Sequence, residues 1–140
     1  MPKTYRNTAL VVIYNKHKEI LLCLSPRDDH DWKMPQGGIE EGETARTAVI
    51  RELNEELNIS IKPEDIKEKI KTSISYYFAN GFEVKLHPFL VAWNKKYKIR
   101  LNPEEFSEYR WINPEKIKEY KLGVRKEAYT KILEQFKLKK

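Results

Sequence analysis

A chain of 140 residues with 40% hydrophobic content and a formal charge of +6 is long enough to bury one core and too short to need a second domain. One cysteine, Cys23, excludes an internal disulfide framework, and no apolar run approaches the length that crosses a membrane. The opening Met1-Pro2-Lys3-Thr4-Tyr5-Arg6-Asn7 lacks the apolar stretch of a secretory signal, so a cytoplasmic protein, with residues 1–140 as a single domain and no membrane partner, is expected.

In chain order, residues 8–14 and 19–24 are β-branched or apolar runs separated by Asn15-Lys16-His17-Lys18, which predicts two strands joined by a short turn. Cys23 falls within the second run and reads as a buried strand residue. A polar loop over 25–31 leads through Trp32-Lys33-Met34-Pro35-Gln36 to a glycine bend at Gly37-Gly38. Thr44 is placed to cap the helix that follows, whose apolar stripe is Ala45, Ala48, Val49, Leu53 and Leu57. Residues 71–79 and 82–93 flank Asn80-Gly81, the dipeptide of a tight type I′ hairpin turn, and Pro88 in the second arm suggests an edge or a bulge. Residues 97–101 and 109–112 are further strand candidates. A short helix is expected over 114–120 and a terminal helix over 122–138, where Val124, Ala128, Ile132, Leu133 and Phe136 recur at roughly helical spacing.

The chemistry concentrates in Glu52, Glu55 and Glu56. At i, i+3 and i+4 they project from one helix face and can converge on hard cations. On an exposed helix such like-charge pairs cost only about 0.2–0.5 kcal/mol each, so a solvated face tolerates them. Partly desolvated in a cleft, two carboxylates about 5.5 Å apart repel by roughly 3 kcal/mol at an effective dielectric near 20, and a cation is what relieves that. The surplus of 27 basic over 21 acidic residues lies outside this acidic stretch and can form a rim that attracts polyanions.

Gly37, five residues, Glu43, seven residues, then Arg51-Glu52-Leu53-x-Glu55-Glu56-x-Asn58-Ile59 resembles the Nudix box of the Nudix hydrolases at every defining position except Asn58. The family carries glycine there, and asparagine is the other residue that tolerates the left-handed conformation of a helix end. The resemblance implies an α/β fold, an α/β/α sandwich with a mixed central sheet, and hydrolysis of a phosphoanhydride in a nucleoside diphosphate linked to another group. It implies Mg2+, with Mn2+ as a substitute, held by Glu52, Glu55, Glu56 and a carbonyl near Gly37, and an ion pair of Arg51 with Glu43 that orients Glu52. The proton of the attacking water goes to Glu52 or Glu56, or to a glutamate of a later loop.

Trp32-Lys33-Met34-Pro35-Gln36-Gly37-Gly38 is similar to the corresponding motif of the dinucleoside tetraphosphate hydrolases and the RNA 5′-pyrophosphohydrolases. So are Glu105-Phe106-Ser107-Glu108-Tyr109-Arg110-Trp111, which maps a later metal ligand onto Glu105, and Val124-Arg125-Lys126-Glu127-Ala128-Tyr129, whose Arg125 and Lys126 would approach phosphates. The implied substrate is a dinucleoside polyphosphate or a 5′-triphosphorylated RNA end. Residues 11–14 and 27–32 look instead like the deoxynucleoside triphosphate pyrophosphohydrolases, and a non-catalytic nucleotide or RNA binding module is the third reading. For the nucleoside, the aromatics around the hairpin, with Tyr77 and Phe82 foremost, are candidate walls, and Gly38 and Arg27 are candidate substrate contacts. The histidines, His17, His30 and His87, share no metal-ligand spacing. Oligomeric state is not encoded in any legible feature.

Overall fold

Alternation along one strand organises the molecule. The computed structural model describes residues 4–27 and 29–138. Its first strand, β1 (Tyr5–Tyr14), has every residue from Ala9 to Ile13 almost fully buried. Ala9, Val11 and Ile13 point into one core with helix α1 (Ala45–Leu57), while Leu10 and Val12 point into the other with helix α2 (Lys126–Gln135). A strand that meets water on neither face is central, and its sequence reads as a continuous apolar run for that reason.

β1 lies parallel to β7 (Glu83–Ala92), in register from Tyr5 opposite Glu83 to Tyr14 opposite Ala92. The remaining strands pair antiparallel. β4 (Gln36–Gly38) and the start of β2 (Ile20–Leu24) divide the other edge of β1, and β5 (Ile66–Lys69) and β6 (Ile74–Tyr77) divide the other edge of β7. β3 (Trp32–Lys33) and β8 (Glu108–Ile112) flank β2. Among the described residues this makes a mixed eight-stranded sheet with α1 on one face and α2 on the other, the α/β/α sandwich that the sequence implied. No helix among them is long and apolar enough to cross a membrane.

Several expectations need correction. The hairpin exists, but Gly81 alone takes a positive φ, of 88°, and Asn80 does not, so a type I′ turn is not formed. Gly81 donates to the Phe78 carbonyl at 2.9 Å and Phe78 donates to Phe82 at 3.0 Å, which is a three-residue loop closed by a glycine bulge. Pro88 lies in the interior strand β7 and not at an edge. It is tolerated because it falls where the partner changes from β6 to β5, and its carbonyl still accepts from Ile70 at 3.1 Å. Residues 97–101 form no strand; their backbone docks on the end of α1 instead. The C-terminal stretch begins as 3-10 turns, Pro114–Glu119 and Gly123–Arg125, before α2.

A buried ion pair ties α2 to the loop before the glycine bend. Arg125, 4% exposed, donates from Nη1 to Asp31 Oδ2 at 3.1 Å, and its guanidinium lies 5.2 Å from the Tyr76 ring centre. Removing one partner of such a pair strands the other charge, at about 3–5 kcal/mol. Lys121, 3.6 Å from Asp31, compensates in part. Arg125→Met is therefore expected to cost about 3 kcal/mol and lower Tm by about 10 °C. Differential scanning calorimetry checks this, and the double variant Asp31→Asn, Arg125→Met should recover more than half of the loss.

Candidate active site

Helix α1 is delimited by its own ends. Thr44 Oγ1 accepts from the Thr47 amide at 3.0 Å, and Asn58 closes the helix at φ 56°, ψ 37°, with its amide bonded to the Asn54 carbonyl and that of Ile59 to Leu53. Burial of Val49, Leu53 and Leu57 anchors the helix to the sheet, at about 1.5–3 kcal/mol for each side chain. Together these can offset the cost of what the same helix also does, which is to carry two glutamates inward.

Glu52 and Glu56 are 9% and 5% exposed, whereas Glu55 faces solvent. Glu52 packs so closely on the glycine bend that a Cβ at Gly37 would lie 2.0 Å from its carboxyl carbon, so glycine is required there. Arg51 organises the corner. It forms a bidentate pair with Glu43 at 2.7 and 2.8 Å, donates to the Gly38 carbonyl and to Glu52 Oε1 at 2.9 Å each, and reaches Glu55 at 3.3 Å. The guanidinium hydrogen bonds hold the Glu43 carboxyl down at about 2.

The loop following β7 supplies Glu105. It docks on the last turn of α1, where the Arg100 and Asn102 amides donate to the Leu57 and Glu56 carbonyls at 2.9 Å each, satisfying acceptors that a helix end leaves open. Glu105 thereby lines one cleft of about 270 Å3 with Glu56, Gly37 and Gly38. Burial first, then repulsion from Glu52, Glu105 and Glu55, pushes the Glu56 carboxyl up to about 9, and its buried Oε1 has no hydrogen-bond partner. Burial also raises Glu52, against the pull of Arg51. Among the described residues no three His, Cys, Asp or Glu side chains already stand as a metal-holding group. The orphaned Glu56 oxygen, the neighbouring acids and their hard-oxygen chemistry nevertheless fit a divalent cation, whose charge would remove the repulsion.

The same cleft also carries basic and aromatic side chains. Arg6, Arg27 and Lys33 line the same cleft with Tyr76, Phe78 and Phe82. Burial, with Arg125 and Arg27 adding repulsion and Asp29 and Asp31 opposing it, lowers the Lys33 ammonium below the ordinary lysine range. A larger groove of about 800 Å3 between β6 and α2 is remote from these acids, so the smaller cleft holds the reactive groups.

The structure thus brings together Glu43, Arg51, Glu52, Glu56, Glu105, Gly37, Gly38, Arg27 and Phe82, with Glu55 at the solvent edge. It does not bring in three other candidates. Tyr77 points away, 55% exposed, because the alternation of β6 sends Tyr76 inward in its place. Arg125 is consumed by Asp31, and Lys126 lines the other groove. Arg6, Lys33 and Gln36 escaped the sequence reading. Arg6 was findable, since period-2 extension of β1 puts it on the face of Thr8 and Leu10; nothing local marked Lys33. Gln36 is held by a relay in which Tyr129 Oη donates to Gln36 Oε1 at 2.5 Å and Gln36 Nε2 donates to Tyr76 Oη at 2.9 Å.

Comparison with known proteins agrees with this geometry. The NUDIX domain family model matches residues 4–135. An RNA pyrophosphohydrolase from Nitratiruptor sp. is 31% identical over 149 aligned positions, spanning 96% of this chain and 95% of the relative. Among solved structures, a MutT protein from Methanosarcina mazei Go1 superposes with a TM-score of 0.78 at 22% identity, covering 98% of both chains. A C. elegans Ap4A hydrolase in a binary complex gives 0.68 at 22% identity, covering 92% of this chain and 96% of the other. Helix, glycine bend and acidic corner are therefore those of a family that hydrolyses phosphoanhydride bonds and generally uses divalent metal ions, and this chain belongs to the NUDIX family of hydrolases.

Proposed function

We propose that this single-domain chain is a cytoplasmic, Mg2+-dependent pyrophosphohydrolase of 5′-triphosphorylated RNA ends, with Mn2+ as a substitute ion. The observation that carries the reading is the convergence, in one cleft of about 270 Å3, of Glu56, whose Oε1 has no hydrogen-bond partner, with Lys33, Arg27 and Arg6. A triphosphate with its cation suits such a cleft, because it brings negative charge for the bases and positive charge for the acids. The full-length similarity to a protein named RNA pyrophosphohydrolase favours this substrate over a dinucleoside polyphosphate.

In this reading Glu52, Glu55, Glu56, Glu105 and the Gly37 carbonyl hold the ions, which when bound polarise the phosphoryl group and lower the pKa of water. Arg51, clamped by Glu43, fixes the Glu52 carboxylate. Lys33 and Arg27 neutralise the distal phosphates, and Phe78 and Phe82 wall the base. Water oxygen bonds to phosphorus, a P–O–P bond breaks, and the water's proton passes to a carboxylate of this corner, Glu52 or Glu56. Pyrophosphate leaves, and a 5′-monophosphate remains.

Incubation with Mg2+ and, in parallel, 5′-triphosphorylated RNA, diadenosine tetraphosphate and deoxynucleoside triphosphates tests the assignment. The expected result is 5′-monophosphorylated RNA formed with a kcat/KM at least tenfold above the others. Faster release of ATP and AMP from the dinucleotide would move the assignment there, and faster pyrophosphate release from deoxynucleotides would mean mononucleotide clearance.

A further inference from the structure

At the opposite end of the sheet lies a further cavity, of about 570 Å3, that the hydrolytic reaction does not use. Thr8 borders the catalytic cleft and Asn15 borders this cavity, so seven strand positions at about 3.3 Å each separate the two by roughly 23 Å. Its floor is aromatic. Trp93 and Trp111 meet at 5.3 Å with an interplanar angle of 65°, and Tyr97 braces Trp93 at 5.8 Å, so both indoles are fixed while remaining only partly buried. Its rim is cationic. Lys16, Lys67 and Lys95 line the cavity, and none of them forms an ion pair among the described residues.

The one acid of the rim, Asp65, is already engaged: its Oδ2 accepts from the Tyr97 hydroxyl and from the Lys62 amide. Asn15 is likewise occupied, accepting from the His17 and Glu19 amides and donating to Glu19, so the turn that carries Lys16 is rigid. What remains available is a partly exposed aromatic surface, its two indoles set at 65° to each other, bordered by three lysines that form no ion pair and by the single carboxylate of Asp65. That combination is complementary to a planar ring bearing a phosphate, since stacking on aromatic faces contributes about 1–3 kcal/mol per base and lysines attract the backbone.

We infer that the Trp93–Trp111 cavity is a second, non-catalytic site for a nucleotide unit, with the base on the indoles and the phosphate between Lys67 and Lys95. The unit is either a free mononucleotide or an internal unit of a single-stranded RNA. The inference does not depend on which phosphoanhydride the cleft hydrolyses, because neither probe below contains one.

The test is a 1H-15N titration of the full chain in EDTA with AMP and, separately, with a 5′-hydroxyl tetra-adenylate. The expected result is movement of the Trp93 and Trp111 indole N–H signals while that of Trp32, packed on Tyr120, stays in place. The double variant Lys67→Glu, Lys95→Glu should bind at least tenfold more weakly and lower the salt slope of oligonucleotide binding by about 0.7, the value for one lost phosphate contact. Its hydrolysis of a small nucleotide should be unchanged. Response to AMP alone identifies a free-nucleotide site, and a tighter response to the oligonucleotide identifies a strand-binding site. If the Trp93 and Trp111 indoles ignore both ligands at millimolar concentration, or if the double variant binds as the parent does, the inference is overturned.

Discussion

Replacing Glu56 with glutamine is expected to lower kcat by about 1,000-fold or more, equivalent to about 4 kcal/mol of lost transition-state stabilisation, while making the metal-free protein more stable at alkaline pH. The two effects share one cause. Glu56 ionises near its ordinary value of 4.5 in the unfolded chain, but burial and neighbouring acids push it up to about 9 in the folded protein. Below pH 4.5 the group is neutral in both states and takes nothing from stability. Above it, the unfolded chain gains free energy by ionising while the folded one does not, so stability falls with rising pH until about 9, by at most about 1.4 kcal/mol per unit. Glutamine has the same shape and never ionises. In EDTA at pH 8 the variant should therefore melt about 5 °C or more above the parent, and the difference should vanish near pH 4.5. Magnesium should raise the Tm of the parent at pH 8 and leave the variant almost unmoved. Calorimetry at the two pH values, with and without metal, separates this from a plain loss of activity. A variant less stable than the parent at pH 8 would show that Glu56 is not strained by its surroundings, and near-normal turnover would remove it from the chemistry.

Much of this corner is legible in the sequence because its determinants are local. A cap, a glycine bend, an apolar stripe and a left-handed asparagine are read within a few residues of where they act, and α1 runs from Ala45 to Leu57 between the caps Thr44 and Asn58 as they specify. The aromatic wall is less legible. Alternation separates Tyr76 from Tyr77, but only the packing of β6 against α2 decides which faces inward. Strands β3, β4 and β5 have two, three and four residues and exist through pairing with β2, β1 and β7, so no periodicity announces them. Arg125 matched a phosphate-contacting motif, yet a buried arginine cannot be distinguished from a solvated one until its partner, Asp31, 94 positions away in the chain, is in place. Lys33 enters the cleft for a similar reason: β3 pairs with β2 opposite Cys23, and that register is a long-range fact.

Arg51→Lys is expected to cost about 100-fold in kcat and to weaken metal binding, although the charge is conserved. The guanidinium serves four groups at once: both Glu43 oxygens, the Gly38 carbonyl, Glu52 Oε1 and, at longer range, Glu55. A lysine ammonium has three donors and no planar fork, so it can satisfy Glu43 or Glu52 but not hold the glycine bend and both acids together. Freed from Arg51, Glu52 loses the interaction that opposes its burial, and its carboxyl rises further from the ordinary glutamate range. Glu52 is then harder to ionise, and the ion must displace a proton to bind. The apparent metal affinity of the variant should accordingly recover as pH is raised, more steeply than that of the parent. Glu43→Gln tests the same clamp from its outer side: it keeps one hydrogen bond to Arg51 and leaves the contacts to Gly38 and Glu52 in place, so a loss of about tenfold is expected. Isothermal titration with Mn2+ at pH 6.5 and 8.5, paired with kcat at saturating metal, distinguishes a positioning role from a direct one. Near-parental kcat and metal affinity in the lysine variant would show that charge alone, and not the fork that joins glycine bend to helix, is what the acidic corner requires.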